Sequence, residues 1–456
     1  MNAAMLLEEI SQACRELRMA ETTFGRLAVN DGKFVSRLRQ GGRVTIQTVE
    51  RVCDFIQRET SRPSTLRHFV LGLSGDRDRA RDFRFYDNRQ KYLLFVSTCS
   101  EKWIIADRVS EELNRTRPSP PAIRLFDAGA GDGTVLARVM RSMHRRFRWM
   151  PFFVVAKEVS LENVRLTLEK MPDRFHEHPA TVLVMTNLRY SEAPWLQPKS
   201  VEAATAMVWH EVALQGDCAA DFETQISALQ PFLARHWQAE ISPVSGNPVP
   251  EKPVALVLYR EDHRFPLAGV VPRRGEARAD FDMVIVSQPY RARAPLKFKA
   301  ERILAPLARS LRPGGRLVGV QSFGRDPGLE LVQAIWPDED PFTLDRHVLL
   351  RSVRQALGSQ SRDLRFNAFG DSRALFRYEM HTLPNEISSS EAAVGTSTLL
   401  AAWNAATYVA QIEDSQLTEA MTNDLYLDRT RETLRKYNGL WFLDEMFVIS
   451  RKGEFD

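Results

Sequence analysis

Cysteine is scarce in this sequence, and it has neither long apolar runs nor a basic amino-terminal export signal. The four cysteines among 456 residues lie far apart and form no CxxC pair, which argues against a disulfide framework and a zinc site. Apolar runs such as Tyr92–Val96 and Pro253–Tyr259 are far shorter than the roughly 20 residues of a membrane-spanning helix. Acidic Glu8 and Glu9 stand where a secretion signal is apolar. We therefore expect a cytoplasmic protein without membrane segments or a bound metal.

The net charge is small but unevenly distributed. The full chain carries +4, whereas the first 124 residues hold 22 Lys and Arg against 16 Asp and Glu, a balance of +6 that leaves −2 for the rest. Such an excess suits an anionic partner, and it equally suits a solvated basic surface. The apolar fraction of 44% and the charged fraction of 26% are ordinary for a globular protein, so a large core is expected.

Periodicity and breakers divide the chain into three parts. Residues 1–58 have apolar positions at helical spacing, including Leu6 and Ile10, and predict a small all-α module. Residues 59–121 begin polar and rich in arginine, continue as a helix predicted over residues 88–113, and end in the stiff segment Arg117–Pro121. Residues 122–456 form the largest part.

From residue 122 onward, short apolar runs alternate with helical patterns. This alternation is typical of a mostly parallel sheet with helices on both faces. Connections within such sheets are normally a few residues long, so the long stretch at about 188–281 is predicted to be an insertion or small subdomain. Seven strands are predicted: Ile123–Phe126, Phe152–Ala156, Thr181–Met185, Asp282–Val286, Arg316–Val320, Leu375–Met380 and Phe447–Ser450.

A glycine-rich turn follows the first of these strands. Residues 127–134 read Asp-Ala-Gly-Ala-Gly-Asp-Gly-Thr, a D-x-G-x-G-x-G pattern between a strand and a helix. Glycine lets the backbone approach a ligand where a Cβ atom would collide. The dinucleotide-binding pattern is instead G-x-G-x-x-G with a phosphate at the helix amino terminus, and Asp127 would repel that phosphate. An acid at this position favours a ligand that carries an ammonium group.

This loop resembles motif I of the class I, Rossmann-like, S-adenosylmethionine-dependent methyltransferases. In that family an acid that ends the second strand holds the ribose hydroxyls, and Glu158 stands in that place. Leu311–Val318 resembles the turn before the family's fifth strand, and the predicted helix over residues 88–113 would close over the cofactor as a lid. The resemblance implies an α/β fold with seven mostly parallel strands and S-adenosylmethionine as cofactor. It implies cofactor contacts from Asp127, Gly129, Ala130, Gly131, Gly133, Glu158, Asn187 and Leu188.

Residues 21–56 resemble the helix-turn-helix of phage-repressor-type DNA-binding proteins. Thr23–Ala28 would lie on the second helix, Asn30–Gly32 in the turn and Lys33–Arg39 on the third helix, followed by Gly41-Gly42 and a cap at Thr45. Few basic residues lie outside the third helix, so DNA binding would need a homodimer. The alternative is a helical bundle used only for packing or dimerisation. The resemblance implies DNA contacts from Lys33, Ser36, Arg37 and Arg39.

Two segments are candidates for the catalytic site. In the methyltransferase family the methyl group projects toward the end of the fourth strand, where Ser287-Gln288-Pro289-Tyr290 is similar to the [DNS]-P-P-[YFW] motif of enzymes that methylate amino nitrogens. Gln288 departs from that motif. In Trp209-His210-Glu211 a histidine stands beside a carboxylate, and it is either a general base or a structural residue. The candidate catalytic residues are His210, Glu211, Ser287 and Tyr290.

The sequence therefore predicts an S-adenosylmethionine-dependent methyltransferase with a small-molecule acceptor that it does not identify. One alternative is a DNA-binding transcriptional regulator that senses the cofactor or keeps a vestigial methyltransferase fold. A second alternative is a DNA amino-methyltransferase. A sensor would bind DNA without consuming the cofactor, whereas an enzyme would release S-adenosylhomocysteine.

Overall fold

The computed structural model describes residues 3–16, 20–29, 31–40, 48–49, 52, 55–56, 89–241, 248–381 and 394–453. The chain forms two compact units, residues 1–81 and residues 82–456. The domain boundaries at residues 58 and 121 stay predictions. No helix among the described residues has both the length and the apolar character needed to cross a membrane.

Within the described residues of the first unit, three helices have defined bounds: α1 (Ala3–Glu16), α2 (Glu21–Val29) and α3 (Phe34–Arg39). Phe24 on α2 and Leu38 on α3 are buried in a common apolar cluster. Helix α2 comes closest to the segment before α3 at Gly25, where a Cβ atom would lie 2.4 Å from the Asp31 carbonyl oxygen. Gly41-Gly42 and Thr45 lie outside the described residues, and the helix-turn-helix assignment stays a prediction.

The second unit is built on a ten-stranded sheet, with a separate two-stranded sheet formed by β5 and β6. Central strands such as β2 and β3 are continuous runs of buried residues, because helices cover both faces of a parallel sheet. The strands in chain order are β1 (Ile123–Asp127), β2 (Phe152–Lys157), β3 (Thr181–Thr186), β4 (Val208–Leu214), β5 (Ala239–Ile241), β6 (Pro248–Pro250), β7 (Val254–Arg260), β8 (Phe281–Ser287), β9 (Leu311–Ser322), β10 (Leu364–Asn367), β11 (Leu375–Glu379) and β12 (Trp441–Arg451).

The strand order is β10-β12-β9-β8-β1-β2-β3-β7-β4, and β11 also pairs with β12. The five strands from β9 to β3 are mutually parallel, and β12 runs antiparallel to β9. All seven predicted strands are present, and the last of them, β12, is the antiparallel one. The Rossmann-like α/β class is therefore confirmed in its core.

Helices cover the two faces of this sheet, and alternate strand residues enter two separate cores. Leu125 belongs to one core and its neighbour Phe126 to the other. The helices in chain order are α4 (Arg89–Thr98), α5 (Glu101–Leu113), α6 (Thr134–Arg146), α7 (Leu161–Glu169), α8 (Met171–Glu177), α9 (Val201–Ala206), α10 (Ala219–Ser227), α11 (Gln230–His236), α12 (Leu296–Phe298), α13 (Ala305–Arg309), α14 (Pro327–Gln333), α15 (Arg346–Leu357), α16 (Asp371–Ala374), α17 (Thr396–Val409), α18 (Asp414–Ala420) and α19 (Leu425–Tyr437). A π-helical turn, Lys299–Leu304, joins α12 to α13.

The prediction of seven strands is wrong, because part of the insertion extends the main sheet. β7 pairs antiparallel with β3, and β4 pairs parallel with β7 at the outer edge. All residues of β7 are buried. The short β10 adds a further strand beside β12.

The single helix predicted over residues 88–113 is two helices in the structure. α4 and α5 are separated at Cys99-Ser100. There the backbone of Cys99 forms an isolated antiparallel β-bridge with Met380, and the Ser100 N–H donates to the Glu379 carbonyl at 2.9 Å. Tyr92 and Phe95 on α4 pack in a third core with Tyr408 on α17. The break lets α4 join this carboxyl-terminal helical layer while α5 covers the sheet.

Candidate functional site

The glycine-rich loop lies at the carboxyl end of β1 and is fixed to both neighbouring strands. The Ala128 N–H donates to the Ile285 carbonyl at 2.9 Å, and the Ala130 N–H donates to the Lys157 carbonyl at 3.0 Å. Gly131 and Gly133 have φ values of +56° and +79°, which side chains other than glycine rarely adopt. The loop then enters α6 at Thr134.

The three alternating glycines are required for different reasons. A Cβ atom at Gly131 would lie 2.8 Å from the Tyr92 hydroxyl, and one at Gly133 would lie 2.7 Å from the Thr167 Cα atom. At Gly129 the nearest atom is the Pro289 Cβ at 3.8 Å, an ordinary contact. Packing within the protein therefore explains two of the glycines, while Gly129 leaves open space beside the backbone.

Asp127 is a buried acid with one unsatisfied oxygen. The residue is 1% exposed, and its Oδ1 atom accepts the Gly129 N–H at 3.2 Å. Its Oδ2 atom has no hydrogen-bond partner among the described residues. Burial raises the pKa of this carboxyl to about 7, against the opposing effects of the Gly129 N–H and the Lys102 charge. A buried unpaired acceptor of this kind fits a cationic hydrogen-bond donor.

Glu158 follows β2 and is held by backbone N–H groups. Its Oε2 atom accepts the Gly131 N–H at 2.9 Å, and its Oε1 atom accepts those of Val159 at 2.7 Å and Ser160 at 2.9 Å. The Asn163 amide contacts Oε2 at 3.4 Å. Burial raises the pKa of Glu158, and the N–H groups oppose that rise. A carboxylate has about four acceptor positions, and here three of them accept short bonds from backbone N–H groups. A ligand hydroxyl would therefore bind at the fourth position, in place of the long Asn163 contact.

The structure places Asn187 and Leu188 after β3, next to the insertion. The Asn187 amide donates to the Lys252 carbonyl at 2.9 Å, and its side-chain oxygen accepts the Val254 N–H at 2.8 Å. Leu188 is buried. The Asn187 side chain therefore holds the start of β7, and any contact of this residue with a ligand would come from its backbone.

Sequence reasoning missed a group of charged and phenolic side chains that α4 and α5 bring to the loop. The Tyr92 hydroxyl accepts the Asp132 N–H at 2.9 Å and lies 3.3 Å from the Asp132 Oδ1 atom. The Lys102 ammonium lies 3.4 Å from Glu101 Oε2, and its charge also acts on Asp127 and Asp132. The only sequence signal for this group was the predicted lid helix, on which Tyr92 was recognised but Glu101 and Lys102 were not.

The end of β8 approaches the same loop. Gln288 has a φ of +46° and its amide donates to Glu101 Oε1 at 2.9 Å. The Ser287 hydroxyl is buried and has no hydrogen-bond partner among the described residues. The Tyr290 hydroxyl donates to Gln321 Oε1 at 3.2 Å. Of the four candidate catalytic residues, Ser287 and Tyr290 lie at the carboxyl end of the central strands.

His210 and Glu211 lie far from this place. In the sheet register Asp127, Ala156, Met185, Leu256 and His210 form one row across five strands. Four strand spacings put His210 roughly 19 Å from Asp127. The His210 ring stacks on Phe232 at 4.4 Å, and Glu211 accepts the Tyr259 hydroxyl at 2.7 Å. The catalytic role predicted for this pair does not fit its distance from the loop.

In the first unit, the four predicted DNA contacts lie on or beside α3 and are all exposed: Lys33, Ser36, Arg37 and Arg39. Both arginines have acidic partners within the same unit. Arg37 pairs with Asp31, and Arg39 pairs with Glu21 at 2.6 Å. DNA phosphates would have to compete with these carboxylates, and DNA binding stays a prediction.

Comparison with known proteins gives distant structural likenesses only. Neither a protein-family model nor a curated protein matches the chain. Solved structures that are similar to it include a provisionally assigned sarcosine dimethylglycine methyltransferase of Galdieria sulphuraria (7% identity, 77% of this chain and 85% of that chain, TM-score 0.31). A second is a geranyl diphosphate methyltransferase solved with GPP and sinefungin (11% identity, 77% of this chain and 78% of that chain, TM-score 0.29). A third is a provisionally assigned class I S-adenosylmethionine-dependent methyltransferase of Listeria monocytogenes (8% identity, 99% of this chain and 89% of that chain, TM-score 0.26). At such low identities and TM-scores, a function for this chain has to rest on its own residues.

Proposed function

We propose that this chain is an S-adenosylmethionine-dependent methyltransferase whose cofactor site lies at the carboxyl ends of β1 and β2. The observation that carries this proposal is the unpartnered, buried Oδ2 atom of Asp127 beside the open backbone at Gly129. Glu158 stands at the end of the adjacent strand. One acid for an ammonium group and a second acid for paired hydroxyls fit the amino acid and ribose of the cofactor.

The chain's own residues divide the binding task in this proposal. Asp127 accepts hydrogen bonds from the cofactor ammonium, and Glu158 accepts them from the ribose. Gly129 permits close approach of the backbone, while Gly131 and Gly133 hold the loop in its left-handed turns. The backbone of Asn187 and Leu188 lies on the adenine side. When bound, S-adenosylmethionine supplies an electrophilic methyl group on a sulfonium centre.

The acceptor site in this proposal lies at the carboxyl end of β8, next to Ser287 and Tyr290. A sulfonium methyl donor is already activated, so orienting the nucleophile and excluding water can suffice without a strong base. This agrees with the position of His210, which is too distant to serve as that base. Ser287 offers an unpartnered oxygen that can orient a donor on the acceptor. We keep a small molecule as the proposed acceptor.

Isothermal titration calorimetry with S-adenosylmethionine and S-adenosylhomocysteine tests the cofactor site. We expect both ligands to bind the parent and to bind Asp127→Asn and Glu158→Gln much more weakly. Asp173→Asn and Glu223→Gln are the matched controls, because both acids are exposed. Absence of binding to the parent, or equal binding to Asp127→Asn, would refute the proposal. Turnover is measured as S-adenosylhomocysteine released when small-molecule cell fractions are added.

A further inference from the structure

A small pocket lies beyond the proposed methyl-transfer position, where β8 and β9 end. Its walls include Gln288, Tyr290, Lys299, Gln321, Phe342 and Gln411. Among the residues that line this pocket, Lys299 carries the only formal charge. The pocket thus combines one cation with amide groups and an apolar side.

Lys299 is a buried ammonium group without an acidic partner. The residue is 2% exposed, and its Nζ atom donates to the Ala292 carbonyl at 2.7 Å and lies 5.0 Å from the centre of the Tyr290 ring. In the described part of the chain no carboxylate lies within ion-pair distance of this atom. Burial lowers the pKa of Lys299 to about 8, and no acid offsets it. An ammonium has three donors, so capacity for a further acceptor remains.

Two of the acids beside the pocket are paired with arginines. Glu445 forms a 2.8 Å ion pair with Arg346 and also accepts the Gln321 amide at 2.7 Å. Glu339 pairs with Arg293. These carboxylates are therefore committed to arginines and do not compensate the Lys299 charge. Burying an unpaired charge is costly unless a ligand of opposite charge compensates it.

The local backbone is also unusual. Lys299 is the first residue of the π-helical turn Lys299–Leu304. Single π-helical turns within α-helices occur frequently at functional sites, because they re-aim a side chain at the expense of regular hydrogen bonding. The turn is an observation independent of the charge balance, and both concern the same residue.

From this arrangement we infer that Lys299 binds an anionic group of the methyl acceptor, a carboxylate or a phosphate. The Tyr290 ring and the side chains of Phe342 and Leu344 cover an apolar part of the same molecule. The acceptor is therefore an amphiphilic anion of low molecular weight. This inference rests on the proposed methyltransferase function for the direction in which the methyl group points, but anion binding at Lys299 does not depend on catalysis.

The test measures binding of small aromatic probes to the full chain by calorimetry, with and without saturating S-adenosylhomocysteine. The probes are phenylacetate, phenyl phosphate, neutral phenylacetamide and cationic phenethylamine. We expect at least one anion to bind about tenfold or more tightly than the amide, because a charge-assisted hydrogen bond is stronger than a neutral one. A preference for phenylacetate over phenyl phosphate, or the reverse, distinguishes the two anion types.

Lys299→Met should abolish the preference for anions and leave S-adenosylhomocysteine affinity within about twofold. Lys299→Arg should keep the preference, which separates loss of charge from loss of fold, and thermal melting checks both variants. Lys297→Met is the matched control, because Lys297 lies two residues earlier with its side chain 81% exposed.

Equal affinity for the anions and the amide overturns the inference, as does anion binding retained by Lys299→Met or no probe binding at about 10 mM. Failure of the parent to bind S-adenosylhomocysteine would instead refute the proposed function. The titration without this ligand would still decide the role of Lys299.

Discussion

Binding of the cofactor should release a proton from Asp127. With a pKa of about 7, this carboxyl is about half protonated in the free protein at pH 7 and about nine-tenths protonated at pH 6. An ammonium group against Oδ2 favours the ionised form, and an opposite charge at this range lowers a carboxyl pKa by about 1–3 units. The bound protein should therefore hold Asp127 as a carboxylate.

The size of the effect follows from these two pKa values. For a lowering of about 2 units, binding releases about 0.8 proton at pH 6 and about 0.5 proton at pH 7. Because only the ionised form binds well, affinity is lost as the pH falls. Between pH 7 and pH 6 the dissociation constant of S-adenosylhomocysteine should rise about fivefold.

Calorimetry in two buffers of different ionisation enthalpy measures this release directly, since the observed heat varies with the buffer in proportion to the protons exchanged. The titrations stay at or below pH 7, where the ligand's own α-amino group remains protonated. Asp127→Asn is nearly isosteric and cannot ionise. It should bind about 10- to 100-fold more weakly and lose both the proton release and the pH dependence. If parent and variant show the same proton release, Asp127 does not contact the ammonium group.

Three further predictions concern stability. Gly133→Ala should lower the free energy of unfolding by about 2–4 kcal/mol in urea titrations, because the backbone there has a φ of +79° and the added Cβ atom would lie 2.7 Å from the Thr167 Cα atom. Gly370→Ala is the control and should be neutral, because no atom lies within 4 Å of a Cβ atom added at that position. Asn187→Ala should lower the free energy of unfolding by about 1–3 kcal/mol, because it leaves the Val254 N–H and the Lys252 carbonyl unpaired. The affinity for S-adenosylhomocysteine should not change. A loss of affinity without a loss of stability would show instead that the Asn187 side chain contacts the cofactor. Burial lowers the pKa of His178 to about 4, so the unfolded chain binds a proton that the folded chain excludes between about pH 6.5 and 4. Stability should therefore fall by about 1–3 kcal/mol as the pH drops through that window, and a parent profile parallel to that of His178→Gln would contradict this.

The sequence predicted the central strands and the position of the loop, because both are local signals. Buried runs such as Phe152–Lys157 and the spacing of Gly129, Gly131 and Gly133 can be interpreted without knowing what they contact. The pairing of β7 with β3 was not predicted. The two strands lie about 70 residues apart in the sequence, and no local sequence pattern indicates which strand a distant strand will pair with. The contacts of Tyr92 and Lys102 with the loop were not predicted either, because they depend on how α4 packs against α17 and how α5 packs on the sheet.

The insertion contacts both the cofactor side of the sheet and the end of β8, where the Tyr190 hydroxyl donates to the Pro289 carbonyl at 2.9 Å. The buried Trp237 after α11 donates to the Glu158 carbonyl at 3.1 Å, and Lys252 and Val254 bind the Asn187 amide. These bonds brace the ends of β2 and β3, where the ribose and adenine are proposed to lie. The pocket at Lys299 is instead closed by Phe342 and by Gln411, which follows α17. Changes in acceptor specificity should therefore arise from the segments after β9 and α17 and from Tyr190, while changes at Trp237 and Lys252 should alter cofactor affinity.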